Sequence, residues 1–203
     1  MYYTYKVVNG KAKITQVNSS ISGDVKIPSK LDGYVVETVA GFYDCNNVTS
    51  VTVPDGVKYI YRNAFYSCDN LKSITLPDSV CSIGDGAFRG TAFYNNKNNW
   101  ENGVLYIGRH LIVADVVSSN YSIKSGTVTI AVNAFNYSGD YEDSAVTTAI
   151  TTAAYDSNYE SQPDNSIILN NKTRINTITI PSSVKYIGTG AFSHCHSIKK
   201  VNI

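Results

Sequence analysis

No apolar run in this sequence approaches the roughly 18 residues that a membrane-spanning helix requires. Neither sign of charge dominates: 17 Lys and Arg stand against 16 Asp and Glu, a formal net charge of +1. That balance, with no basic tract and no polar-faced cationic helix, argues against nucleic acid and against an acidic membrane surface as partners. The first residues, Met1-Tyr2-Tyr3-Thr4-Tyr5-Lys6, lack the basic and apolar regions of a secretion signal. Catalytic signatures are missing too: there is no G-x-S-x-G, no phosphate-binding P-loop and no G-x-G-x-x-G. With three histidines in all, only His194-Cys195-His196 gathers metal-ligand residue types. A closed structural site takes about four ligands, so a solvated turn is the better reading and no metal or other cofactor is expected.

What the chain has is repetition. The segment VTVPDGVKYIYRNAFYSC at 51–68 returns as ITLPDSVCSIGDGAF at 74–88 and as ITIPSSVKYIGTGAFSHC at 178–195. Phe42, Phe65 and Phe88 fall at steps of 23 residues, and Cys45 to Cys68 keeps that step. A fixed period in the range of about 20–29, with an apolar strand in every unit, is the mark of a leucine-rich-repeat solenoid. In each unit two apolar strand positions, such as Val51 and Val53 or Ile74 and Leu76, point to one side. The Pro that follows ends the strand, and Ala64-Phe65 or Ala87-Phe88 close the unit. Gly84-Asp85-Gly86 is a turn of this repeat and no phosphate loop.

These residues resemble the BspA-like leucine-rich repeats, a type also seen in Treponema surface proteins. The resemblance rests on Pro, Val, Ile, Ala-Phe and Cys recurring at fixed offsets, and covers most of residues 25–203. It implies a secreted or cell-surface protein whose leader is absent from this chain, and it implies adhesion or protein binding. No catalytic residues come with it.

The expected fold is a right-handed α/β solenoid, rich in short strands, with helical turns near the Ala-Phe segments and about five repeats. Residues 1–24 are read as a hairpin cap turning at Asn9-Gly10, with Tyr3, Tyr5 and Val7 alternating on one strand and Ala12 and Ile14 on the other. Residues 25–203 carry the repeats, interrupted twice. The first interruption, about 92–120, holds an Asn-rich loop with the sole tryptophan, Trp100, and then two short strands around Gly108-Arg109; His110 is read there as an exposed turn residue. The second, about 136–174, is rich in Asp, Glu and Tyr, with a moderate helical pattern from Val146 to Ala154. Its run Asp140-Tyr141-Glu142-Asp143 lacks the residue pattern of a calcium loop. Cys45, Cys68 and Cys195 share one slot, and repeat three carries Thr91 there. Stacked coils bring neighbouring slots near disulfide range, yet the slot needs no pairing partner elsewhere, so free buried thiols are expected.

A solenoid aligns equivalent positions of its units into ladders on one face. Thr52, Thr75 and Thr179 lie between inward-pointing residues and are expected to project as a column. Tyr59 and Tyr186 share a second slot, held by Ser82 in repeat three; tyrosine offers large contact area at low entropic cost, although packing along the solenoid would use the same rings. The leading expectation is an extracellular binding or adhesion module without catalytic activity, engaging an extracellular or host protein through the strand face or the 136–174 insertion. A carbohydrate-binding module using Trp100 and the tyrosines is the alternative, and a structural spacer of a larger surface protein is a third.

Overall fold

The computed structural model describes residues 2–115, 118–135 and 175–203. The chain opens with β1 (Tyr3–Val8) and β2 (Lys11–Val17), joined at Asn9-Gly10, both of which take positive φ. Short strands follow: β3 (Gly23–Lys26), β4 (Lys30–Leu31), β5 (Tyr34–Val39), β6 (Val48–Thr52), β7 (Tyr59–Ile60), β8 (Ser73–Thr75) and β9 (Ser82–Ile83). A single-turn helix, α1 (Ala92–Asn95), precedes β10 (Trp100–Glu101), β11 (Val104–Ile107) and β12 (His110–Ala114). The remainder is β13 (Asn120–Ser122), β14 (Thr129–Ile130), β15 (Thr177–Thr179), β16 (Tyr186–Ile187) and β17 (Lys200–Asn202).

These strands form four sheets in a β-solenoid of about seven turns with a 23-residue period and almost no helix. One sheet runs β1-β2-β5-β7-β9, with β4 paired to β5; its continuation runs β10-β11-β12-β14-β16. On the other wall, β3-β6-β8 and β13-β15-β17 form two separate three-stranded sheets. The expected five repeats fall short because both hairpins join the stack. Strand β2 pairs in parallel with β5, and β12 pairs in parallel with β14, so each hairpin supplies the neighbour that another coil would supply.

The expected helical turns are absent at the Ala-Phe segments, and the hydrogen bonds give the reason. An α-helix sends each N–H to the carbonyl four residues back. Here the Phe42, Phe65 and Phe135 N–H groups donate instead to Ala64, Ala87 and Ala191 of the following coil, at 2.7–2.9 Å. Before each of the four repeat-closing Ala-Phe pairs stands a residue in the left-handed region: Asn63, Gly86, Asn133 and Gly190. Asparagine and glycine tolerate that conformation at least cost, which turns the chain into the next coil and stops a helix.

Between the walls lies one apolar core. Phe42, Phe65, Phe88 and Phe135 are fully buried, each burial stabilising by about 1.5–3 kcal/mol. The Phe65–Phe88 and Phe135–Phe192 rings stack with centroids 5.5 Å and 5.0 Å apart, and Phe42 packs tilted on Phe65 at 4.8 Å. A tilted tyrosine opens each stack: Tyr3 lies 6.2 Å from Phe42, and Tyr121 lies 6.0 Å from Phe135. The β11–β12 hairpin falls between Phe88 and Phe135 in sequence.

The repeated slot after Phe is satisfied polar chemistry under a turn. Cys68 Sγ donates to the Phe42 carbonyl at 2.9 Å, and Cys195 Sγ to the Phe135 carbonyl at 3.0 Å. Thr91, in the same slot, turns its hydroxyl to its own coil instead, donating to the Phe88 carbonyl at 2.9 Å. Its oxygen also accepts from the Tyr94 N–H at 3.0 Å, which caps α1. All four cysteines are free thiols, with Cys45, Cys68 and Cys195 buried.

Candidate binding face

Alternation along β2 sends Ala12 and Ile14 into the core and leaves Lys11 and Lys13 on the opposite face. Register then builds a row across four strands. Lys13 pairs with Thr38 of β5, Thr38 with Tyr59 of β7, and Tyr59 with Ser82 of β9. From the outer strand, Lys6 stands directly opposite Lys13, and exposed Val8 stands opposite Lys11.

This face holds a groove of about 250 Å³ between the cap and the first coils, with Lys11, Lys13, Glu37, Tyr59 and Tyr61 among its walls. Lys13 Nζ lies 4.1 Å from the centre of the Tyr61 ring, within cation–π reach. Lys58 Nζ meets Glu37 Oε1 at 2.9 Å. The Glu37 hydrogen bond and charge hold the Lys58 pKa above its usual value, with further raising effects from Cys81 and Tyr186.

The residues singled out from sequence are not all brought together. Thr52 and Thr75 are exposed neighbours in the β3-β6-β8 sheet, with Lys26 completing their row. Thr179 belongs to the other three-stranded sheet, between Ser122 and Asn202, and accepts from Asn202 Nδ2 at 3.2 Å. The three threonines thus form two rows, separated where α1 and the β10–β12 segment interrupt the strand wall. Tyr59 sits beside Ser82 in one sheet, and Tyr186, 39% exposed, sits beside Thr129 in its continuation. Trp100 is half-buried and committed: its Nε1 donates to the Tyr94 carbonyl at 2.8 Å, the Tyr94 ring meets it edge-on, and Lys97 Nζ covers it at 4.3 Å. The 136–174 segment lies outside the described residues, with its acidic and tyrosine residues. Sequence reasoning passed over Lys11, Lys13, Glu37 and Tyr61; the polar half of the Lys11–Ile14 alternation was the available signal.

His110 is a correction. It is fully buried: the hairpin tip folds onto the turn of the third coil, where His110 Nε2 donates to the Pro77 carbonyl at 3.1 Å and Arg109 pairs with Asp78. Its Nδ1 is buried without a hydrogen-bond partner, and burial pushes its pKa below the usual value. His194 lies in a left-handed turn and not on a strand, and its ring meets that of His196 nearly edge-on at 5.9 Å. Among the described residues, no three His, Cys, Asp or Glu side chains converge to hold a metal ion. Burial raises the Cys68 and Cys195 pKa values to about 12, which disfavours the thiolate a nucleophile needs.

Residues 39–163 and 165–203 match the family model described as BspA type Leucine rich repeat region, in six copies. Among solved structures, the chain resembles a leucine-rich repeat protein of T. pallidum at 21% identity and a TM-score of 0.48, over 98% of this chain and 68% of that one. It resembles a leucine-rich repeat protein of Bacteroides ovatus at 22% identity and a TM-score of 0.43, over 100% of this chain and 40% of that one. A leucine-rich cell surface protein of Faecalibacterium prausnitzii matches at 17% identity and a TM-score of 0.29, over 100% and 75% of the two chains. Comparison with curated proteins finds no significant match.

Proposed function

The chain belongs to the BspA-type leucine-rich-repeat family, and from that premise we propose a non-catalytic protein-binding module of a bacterial cell surface. Leucine-rich repeats are in general protein-interaction modules. The surface location rests on the family resemblance. The observation that carries the reading is the row Lys13–Thr38–Tyr59–Ser82, which sets a cation, two hydroxyl groups and an aromatic ring side by side on a hydrogen-bonded sheet. Such a face is organised before the partner arrives, so little ordering entropy opposes binding. Tyrosine is among the residues that most often anchor protein interfaces.

The test is binding of the purified chain to an array of extracellular-matrix and host-surface proteins, followed by mutation of the face. A saturable protein target whose binding weakens about tenfold or more in a Tyr59→Ala/Tyr61→Ala variant is the expected result. Undiminished binding by that variant, with loss on Thr52→Arg/Thr75→Arg, would move the site to the other wall. Binding to no protein on the array would return the chain to the spacer reading.

A further inference from the structure

The groove is not neutral, although the chain as a whole nearly is. Two lysines and one carboxylate line it, and the carboxylate, Glu37, is already held by Lys58. Among the described residues, no carboxylate pairs with Lys6, Lys11 or Lys13. Lys6 and Lys13 stand directly opposite each other across the β1–β2 hairpin, an arrangement of like charges that destabilises a strand pair. The cap therefore presents three uncompensated ammonium groups beside the groove. An anionic occupant would relieve that repulsion.

Beside its polar groups, which also include Asn9, Thr38 and Ser82, the groove offers apolar surface. Val8 stands 49% exposed at its rim, and the rings of Tyr59 and Tyr61 flank it. A ligand of charge alone would leave these surfaces unused. From β2 to β9 the row spans four strands, about 14 Å at the usual strand spacing, or roughly four residues of extended chain. A compact lysine ammonium with three donors suits a carboxylate approaching from any direction.

We propose that this groove takes a short acidic segment of a partner protein, about four extended residues long, with carboxylates on Lys11 and Lys13 and a following apolar side chain against Tyr59 and Val8. Lys6 adds to the field from the outer strand. The inference rests on the reading of the chain as a protein-binding module and names the chemistry of what that module holds.

The experiment uses the full chain and a fluorescein-labelled peptide of four glutamates followed by a leucine, read by fluorescence anisotropy. Comparison probes are the same peptide with lysine in place of glutamate, and a sulfated oligosaccharide. The variants are Lys11→Glu/Lys13→Glu, and Lys199→Glu/Lys200→Glu as an equal charge change at a distant exposed site, each checked for folding by circular dichroism. The expected result is saturable binding of the acidic peptide that weakens with salt, falls at least about fivefold in the first variant and is little changed in the second. Equal loss in both variants, equal binding of the lysine peptide, or preference for the oligosaccharide would each overturn the proposal. If the acidic peptide fails to bind while a protein target is still held in a Tyr59- and Tyr61-dependent manner, the acidic-segment inference fails and the protein-binding reading stands. If no protein target is held either, both fail.

Discussion

His110 Nε2 donates to the carbonyl of Pro77 across 3.1 Å, tying the tip of the β11–β12 hairpin to the turn of the third coil. That hydrogen bond fixes the tautomer: the proton sits on Nε2, and the buried, unpartnered Nδ1 is bare. Protonating Nδ1 would place an N–H with no acceptor, and a charge, inside the fold.

Burial lowers the His110 pKa in the folded state, against the pull of the Pro77 carbonyl and Asp78 and with the help of Arg109. The unfolded chain, with a histidine near its ordinary value of 6.5, then binds more protons as pH falls. The stabilisation is complete above that value and is lost as pH drops from it towards the lower folded pKa. Thermal unfolding monitored from pH 8 to pH 5.5 should show a falling Tm in the parent protein and a flatter profile in His110→Gln. Identical profiles would assign the pH dependence to other groups.

Close backbone approach makes a second expectation. A β-carbon on Gly84 would lie 2.4 Å from the Arg62 nitrogen, and one on Gly188 would lie 2.4 Å from the Val132 nitrogen. The obstructing atoms are main chain, so no rotamer change relieves them. Gly84→Ala and Gly188→Ala should each destabilise by about 1–3 kcal/mol. For a domain of this size that is a fall in Tm of roughly 2–12 °C. At Gly108 a β-carbon meets nothing within 4 Å, although its φ of +57° adds backbone strain; Gly108→Ala should therefore cost less, about 1 kcal/mol. Equal losses at all three positions would show that the coil spacing yields to accommodate the methyl group.

Thiol chemistry should divide the cysteines. Burial and a raised pKa protect Cys68 and Cys195, burial and the neighbouring Asp44 charge protect Cys45, and Cys81 is partly exposed. A disulfide-exchange reagent at neutral pH should modify Cys81 in the native protein and the other three only after denaturation. Rapid native modification of Cys45, Cys68 or Cys195 would mean that the coils open on the timescale of the assay.

Much of this architecture was legible because a solenoid repeats its burial along with its sequence. The spacing of Phe42, Phe65 and Phe88 marks residues that are all fully buried, and Val51, Val53, Ile74 and Leu76 all face the core. What local reading missed depended on partners far along the chain. The Ala-Phe turns have helix-like sequence, yet their N–H groups bond to the next coil. The β11–β12 hairpin reads as an interruption, although β12 takes a coil's place beside β14. The threonine column is broken by that same segment. Lys13 and Tyr61 meet only because β2, β5 and β7 align in parallel, a register that no alternation pattern states. Residue types marked Tyr59 as a surface candidate, but the groove beside it needed the cap to be folded against the first coil.

The direction of the coil-to-coil hydrogen bonds has a mechanical meaning. Bonds such as Phe65 N–H to the Ala87 carbonyl, 2.8 Å long, join one coil to the next. Tension pulling the two ends apart would load them a coil at a time, as a zipper is loaded, and would not shear many at once. Each released coil of 23 residues lengthens the chain by about 80 Å. A single-molecule pulling trace should therefore show a staircase of small ruptures at roughly that interval, and one abrupt rupture to full length would count against it. On a surface exposed to flow, such a stack would behave as a shock absorber, giving way by increments while the coils nearest its load still hold.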